Sequence, residues 1–121
     1  MFKKKKKSLL IVDENPHMQK MLKSYFSHVA KVESATSVEE AITKSRKQVF
    51  DAVISDRSVN GESAKELVKD IQSRPGSTLT EIRLMSKSVK TPVSPENNRV
   101  KHYSKPDGIN PMVHDIMGVL L

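Results

Sequence analysis

Asp51-Ala52-Val53-Ile54-Ser55-Asp56-Arg57-Ser58 is the stretch on which the fold turns. Its apolar run carries the β-branched pair Val53-Ile54 with no polar alternation, the pattern of a strand covered on both faces in the parallel sheet of an α/β domain. The run stops abruptly at Asp56. Open α/β sheets bind ligands beyond the carboxyl ends of their strands, although Asp is also an ordinary way to leave a strand and enter a turn.

On the N-terminal side, Ser8 to Val12 reads as a first strand that ends at Asp13-Glu14. Asn15-Pro16 suits an N-cap and first helical residue, and Met18, Met21, Leu22, Tyr25, Phe26 and Val29 recur at helical spacing as one core-facing stripe. Lys31-Val32-Glu33 alternates like a second, more exposed strand. Ser37 to Glu40 is a capping box opening a helix with Val38, Ala41 and Ile42 inward.

On the C-terminal side, the third strand, Ala52 to Ser55, gives way to a loop with the turn pair Asn60-Gly61. Ser63 and Glu66 suggest another capping box, ahead of a stripe of Ala64, Leu67, Val68 and Ile71 that Arg74-Pro75-Gly76-Ser77 ends. Glu81 to Met85 is a fourth strand, followed by Ser86. From Lys87 to Lys101 the segment is polar and broken by Pro92 and Pro95, so at most one helical turn is expected there. Val100 to Ser104 is a fifth strand, before Lys105-Pro106. Asn110-Pro111 looks like the start of a last helix with Met112, Val113, Ile116, Met117, Val119 and Leu120 as its apolar residues. The alternation predicts an α/β fold, a doubly wound five-stranded parallel sheet close to (βα)5, with a degenerate or short fourth helix.

A chain of 121 residues holds one domain, and with no cysteine it folds without disulfides. The formal charge is +7, of which Lys3 to Lys7 supply five, leaving +2 for the body. The expected organisation is therefore a basic N-terminal tail over residues 1–7 and one domain over 8–121. Such a tail holds phosphates or anionic lipid only loosely. With few aromatics and no basic-aromatic interleaving, no specific nucleic-acid partner is expected. The apolar run behind the lysines is too short for a signal sequence or a membrane span, so a cytoplasmic location is expected.

Asp13, Glu14 and Asp56 fall just past the first and third strands. In a sheet of order 2-1-3-4-5 they converge at the topological switch point. Clustered acids repel one another, and an all-oxygen group with room for water suits Mg²⁺. Ser86 and Lys105, past the fourth and fifth strands, bring a hydroxyl and an ammonium to the same edge. Such a set can neutralise a phosphoryl group in transfer.

From about Ser8 to Leu120 the chain resembles the receiver domain of bacterial response regulators, which share the flavodoxin-like fold. The resemblance rests on Leu9-Leu10-Ile11-Val12-Asp13-Glu14-Asn15, Ile54-Ser55-Asp56, Leu84-Met85-Ser86 and Ser104-Lys105-Pro106. It implies a switch in a two-component phosphorelay, not an enzyme with its own substrate. Asp56 would be the phosphoacceptor, fed by a sensor histidine kinase or phosphotransfer protein. Asp13, Glu14, Asp56 and the Ser58 backbone carbonyl would hold Mg²⁺; Ser86 would bond a phosphoryl oxygen, and Lys105 would pair with Asp56 or its phosphate. It further implies a cis Lys105-Pro106 bond, and an output domain, partner protein or weak homodimer as the recipient of the signal.

Departures from the family pattern concentrate on transmission. Glu14 stands where aspartate is usual, Val59-Asn60 replaces Met-Pro, and Ala64 replaces a glycine. Lys87, able to crowd or charge the site, follows the hydroxyl in place of a small residue. His102 occupies the place of the switch aromatic, with Tyr103 beside it; neighbours along a strand face opposite ways, so Tyr103 is not expected to substitute. These features leave open a receiver-like interaction scaffold that works without phosphorylation. A phosphatase of the haloacid-dehalogenase type fits poorly, since that class needs a second aspartate where Asn15 stands.

Overall fold

The computed structural model describes residues 6–87 and 97–121. Five strands form one parallel sheet: β1 (Lys7–Val12), β2 (Ala30–Ala35), β3 (Ala52–Asp56), β6 (Glu81–Ser86) and β7 (Val100–Ser104), in the order β2-β1-β3-β6-β7. Two further short strands, β4 (Ser58–Val59) and β5 (Glu62–Ser63), make an antiparallel hairpin after β3. With the hairpin set aside, the order is the predicted 2-1-3-4-5, the doubly wound sheet whose order reverses at β1.

Among the described residues four helices cover the sheet: α1 (Pro16–Phe26), α2 (Val38–Lys47), α3 (Lys65–Ser73) and α4 (Ile109–Leu120). Because side chains alternate along a strand, each strand feeds two cores. Leu10, Val12, Val53, Ile82, Leu84 and Val100 pack under α2 and α3. Leu9, Ile11, Ile54 and Met85 pack under α1 and α4, against Leu22, Phe26, Met112 and Ile116. Burial on both faces explains the unbroken apolar runs of β1 and β3.

Local chemistry sets the helix starts, in places differently from expectation. Asn15 caps α1, its side chain accepting from His17 N at 2.9 Å, with Pro16 next. Ser37 accepts from Glu40 N at 3.0 Å, but Glu40 reaches back to Thr36 N at 2.7 Å, so the box closes one residue early. No capping box forms at Ser63: it belongs to the hairpin and accepts from Lys65 N, and α3 starts after Ala64 without a side-chain cap. Helix α4 begins at Ile109 after Gly108, ahead of the predicted Asn110 cap, because Gly108 N bonds Ser104 O at 2.6 Å and turns the chain earlier. A Cβ on Gly108 would stand 2.3 Å from that same carbonyl, so only glycine fits. On α1, Tyr25 is 38% exposed, and Gln19 is buried instead, its Nε2 donating to the carbonyls of Ile11, Asp13 and Ala35. The expected loss of the fourth helix concerns Lys87 to Lys101, of which residues 88–96 lie outside the described residues.

Candidate functional site

The parallel sheet sends the ends of β1, β3, β6 and β7 to one edge, and the backbone locks them there. Arg57 N donates to Met85 O and Lys105 N to Ser86 O, both at 2.7 Å, while Asp56 lies opposite Met85 in register and Ser86 opposite Ser104. The peptide bond between Lys105 and Pro106 is cis.

At this edge Lys105 Nζ stands 2.8 Å from Asp56 Oδ1 and 3.5 Å from Asp13 Oδ2. Asp13, only 2% exposed, is also held by Asn15 N, which donates to its Oδ1 at 2.8 Å. One ammonium thus bridges two carboxylates brought together from the ends of β1 and β3. Burial pushes the Asp56 carboxyl up; Lys105 pulls it down by hydrogen bond and charge, and Asp13 and Glu14 push it up again. The balance lies above the usual carboxylate range, which leaves a more basic and poorly solvated oxygen pair, the condition of an effective nucleophile.

Not every predicted residue joins this core. Glu14 is exposed beside it, and Ser58 is exposed in the hairpin. The hairpin turns through Asn60 and Gly61, both at positive φ, and Asn60 Nδ2 donates to Thr36 O at 2.9 Å, tying the loop after β3 to the loop after β2. Ser86 and His102 are half-buried on adjacent strands. Tyr103 lies on the opposite face, within the core under α1 and α4, and its hydroxyl donates to Asp115 at 2.6 Å.

Among the described residues no group of three acidic or histidine side chains gathers tightly enough to hold an ion alone. Mg²⁺ asks for less, since it keeps several waters and takes one or two carboxylates together with phosphate oxygens. Asp13 and Asp56, both hard oxygen donors at one spot, fit that demand.

A family model for the response regulator receiver domain matches residues 9–98. The chain belongs to the response regulator receiver domain family. Members of this family are signalling domains, not enzymes in the ordinary sense. The match stops before β7, so Lys105 takes its place through the fold and not through that alignment. No curated relative matches the chain. Among solved structures, the chemotaxis response regulator CheY4 of Vibrio cholerae is 22% identical, with a TM-score of 0.76 over 96% of this chain and 100% of that one. The signal receiver domain of an HD domain-containing protein from Pseudomonas fluorescens is 15% identical, with a TM-score of 0.80 over 99% of this receiver and 90% of its own chain. The receiver domain of the hybrid histidine kinase CckA is 18% identical, with a TM-score of 0.74 over 94% and 99% of the two chains.

Sequence reasoning passed over one polar assembly in this receiver. Arg83, 2% exposed in the middle of β6, places Nε 2.6 Å from Asp115 Oδ2 and Nη2 2.9 Å from Glu81 Oε1. Its Nη1 donates to the carbonyls of Ile82 and Arg99. Arg99 closes the group by pairing with Glu81 at 2.6 Å. The available signal was a charged residue between Ile82 and Leu84, both fully apolar, in a strand otherwise meant for burial.

Proposed function

We propose that this receiver accepts a phosphoryl group on Asp56 and so switches a signalling interaction. The observation that carries the reading is the Lys105 ammonium between Asp56 and Asp13, at the point where the sheet order reverses. The donor is a phosphohistidine on a sensor histidine kinase or phosphotransfer protein. An Asp56 oxygen forms the new bond to phosphorus as the phosphorus–nitrogen bond breaks, and the departing imidazole keeps the electron pair. Lys105 holds the carboxylate in line and then faces the added negative charge, while Ser86 donates its hydroxyl to a phosphoryl oxygen. Mg²⁺, when bound, neutralises phosphoryl oxygens; Asp13, Glu14, Asp56 and the Ser58 carbonyl would hold it.

The domain unit is read as residues 8–121 behind a basic tail, with Lys7 already entering β1, and its setting as the bacterial cytoplasm. The recipient of the signal is an output domain, a partner protein or a second receiver in a weak homodimer. Phosphorylation biases a two-state equilibrium that the recipient reads.

Incubation with a small-molecule phosphodonor and Mg²⁺ tests the reading. The native protein should gain the mass of one phosphoryl group, and Asp56→Asn should gain none. An unmodified native protein, or equal modification of the variant, rejects the proposal. One observation favours a second reading, a scaffold indifferent to phosphate: Tyr103 is committed to Asp115 on the face away from the switch position. Partner affinity that does not change with phosphodonor would support it.

A further inference from the structure

In a parallel sheet every strand begins at the same pole, here the end opposite Asp56, separated from it by roughly 20 Å, the length of a six-residue strand. The free charge differs between the two poles, because Asp70 and Glu81 on the strand-start side are held by Arg46, Arg74, Arg83 and Arg99. Acids gather where helices begin: Glu39 and Glu40 in the first turn of α2 and Glu66 in that of α3. Bases gather where helices end, Lys23 on α1 and Lys47 on α2, while Lys44 and Arg46 are taken up by Glu40 and Asp70. Lys6, Lys7 and Lys31 lie at the starts of β1 and β2. The sequence joins Lys3, Lys4 and Lys5 directly to Lys6.

The exposed apolar side chains follow the same division. Setting aside Leu121, the large hydrophobic residues exposed among those described are Tyr25, Val49 and Leu79. Each lies at the end of a helix or in the connection that leads into a strand, so all three belong to the basic pole. Val49, 54% exposed, lines a cavity of about 430 Å³ with Lys6, Lys7 and Lys31. Leu79, 71% exposed, precedes Thr80, whose hydroxyl donates at 2.6 Å to the carbonyl of Phe50, the residue after Val49. The acid in this cavity, Asp51, already accepts from Ser8 N at 2.8 Å. Lys7 is fixed by donating to Val119 O at 2.9 Å, which ties the root of the lysine run to the end of α4.

We infer that this pole docks on an anionic lipid bilayer, the lysines meeting headgroup phosphates and carboxylates while Val49 and Leu79 enter the interface. Charge alone suits nucleic acid equally well. The exposed valine and leucine among the lysines decide for lipid, because a bilayer interface rewards burial of apolar side chains and a phosphodiester backbone does not. No helix among the described residues is long and apolar enough to cross a membrane, so attachment is peripheral. Docked in this way, the receiver presents Asp56 away from the bilayer. The inference does not rest on phosphorylation.

Sedimentation of the full chain with vesicles of phosphatidylcholine alone, or of phosphatidylcholine and phosphatidylserine in equal parts, is the test. Binding is expected only with phosphatidylserine and should fall as salt rises. Each surface lysine contributes about fivefold in partitioning, so replacing Lys3, Lys4, Lys5 and Lys6 by glutamine should weaken binding several hundredfold. Val49→Ser with Leu79→Ser should weaken it about tenfold with the charge unchanged. Thermal unfolding is the check that this pair stays folded, and the lysine variant, altered ahead of β1, provides an independent arm. Equal binding to both vesicle types overturns the inference. So does full binding by the folded Val49/Leu79 pair, or retention on duplex DNA without vesicle binding, which would assign the pole to nucleic acid.

Discussion

Asp56 and Asp115 are both partly buried aspartates with a cation close by, Lys105 at 2.8 Å from one and Arg83 at 2.6 Å from the other. Their carboxyl groups are nonetheless displaced in opposite directions. Burial pushes Asp115 up, but hydrogen bonds from Arg83 and Tyr103 outweigh it and hold the carboxyl below its usual range. At Asp56 one lysine divides itself between two acids, and burial prevails. Arg83 has its donors matched by two carboxylates and two carbonyls, so its cluster is internally satisfied. The Asp56 cluster carries more negative charge than Lys105 can neutralise. Satisfied charge fixes structure, whereas a surplus of one sign is left to be met by a ligand.

The largest effect should come from cutting the satisfied cluster. Arg83→Ala strands Asp115 and Glu81 and should cost about 3–5 kcal/mol of stability in urea unfolding. A smaller loss would mean that the carboxylates find water and that the two clusters are less different than described. Gly108→Ala should cost about 1–3 kcal/mol by driving a methyl group onto Ser104 O. Because that turn follows Lys105, phosphorylation of the variant should also slow, measured by mass spectrometry below its unfolding temperature.

Asp115→Asn should cost about 1 kcal/mol at neutral pH and alter the acid limb of the stability curve. The folded carboxyl ionises below its unfolded value of about 3.9. Its stabilisation is therefore complete above that pH and is lost as pH falls through the folded value. The variant should lose stability less steeply than the parent on acidification, and parallel curves would remove Asp115 from the account. The smallest effect is expected at Asp56→Asn in metal-free protein. Removing a poorly solvated charge beside other acids should leave stability unchanged or slightly raised, even as phosphorylation disappears. A large loss there would make Asp56 a structural residue like Asp115.

The sheet, its order and the gathering of Asp13, Asp56 and Lys105 could be read from the sequence because one period governs them: apolar runs of strand length, each ended by a polar residue at the same edge. Arg83 could not be read in the same way. Its burial depends on Asp115 and Glu81 arriving together, from the last helix and the start of its own strand, and no local pattern reports a pairing of that kind. Gln19 escaped for a similar reason, since three carbonyls from two strands make an amide a good occupant of a core position. The helix starts at Ala64 and Gly108 differ from expectation because hairpin and turn contacts overrode the capping signals at Ser63 and Asn110.

The pairing of β1 with β3, which sets Val12 beside Ser55, has a consequence for the order of synthesis. A chain emerging from the ribosome presents Asp13 and Asp56 long before Lys105 exists. A domain generally folds as a unit, and the two acids gain their cation only when β7 docks and carries Lys105 to the edge. A truncated or half-folded chain thus carries the acidic pair without its counter-charge. The charge balance at that edge is a record that β7 has joined the sheet.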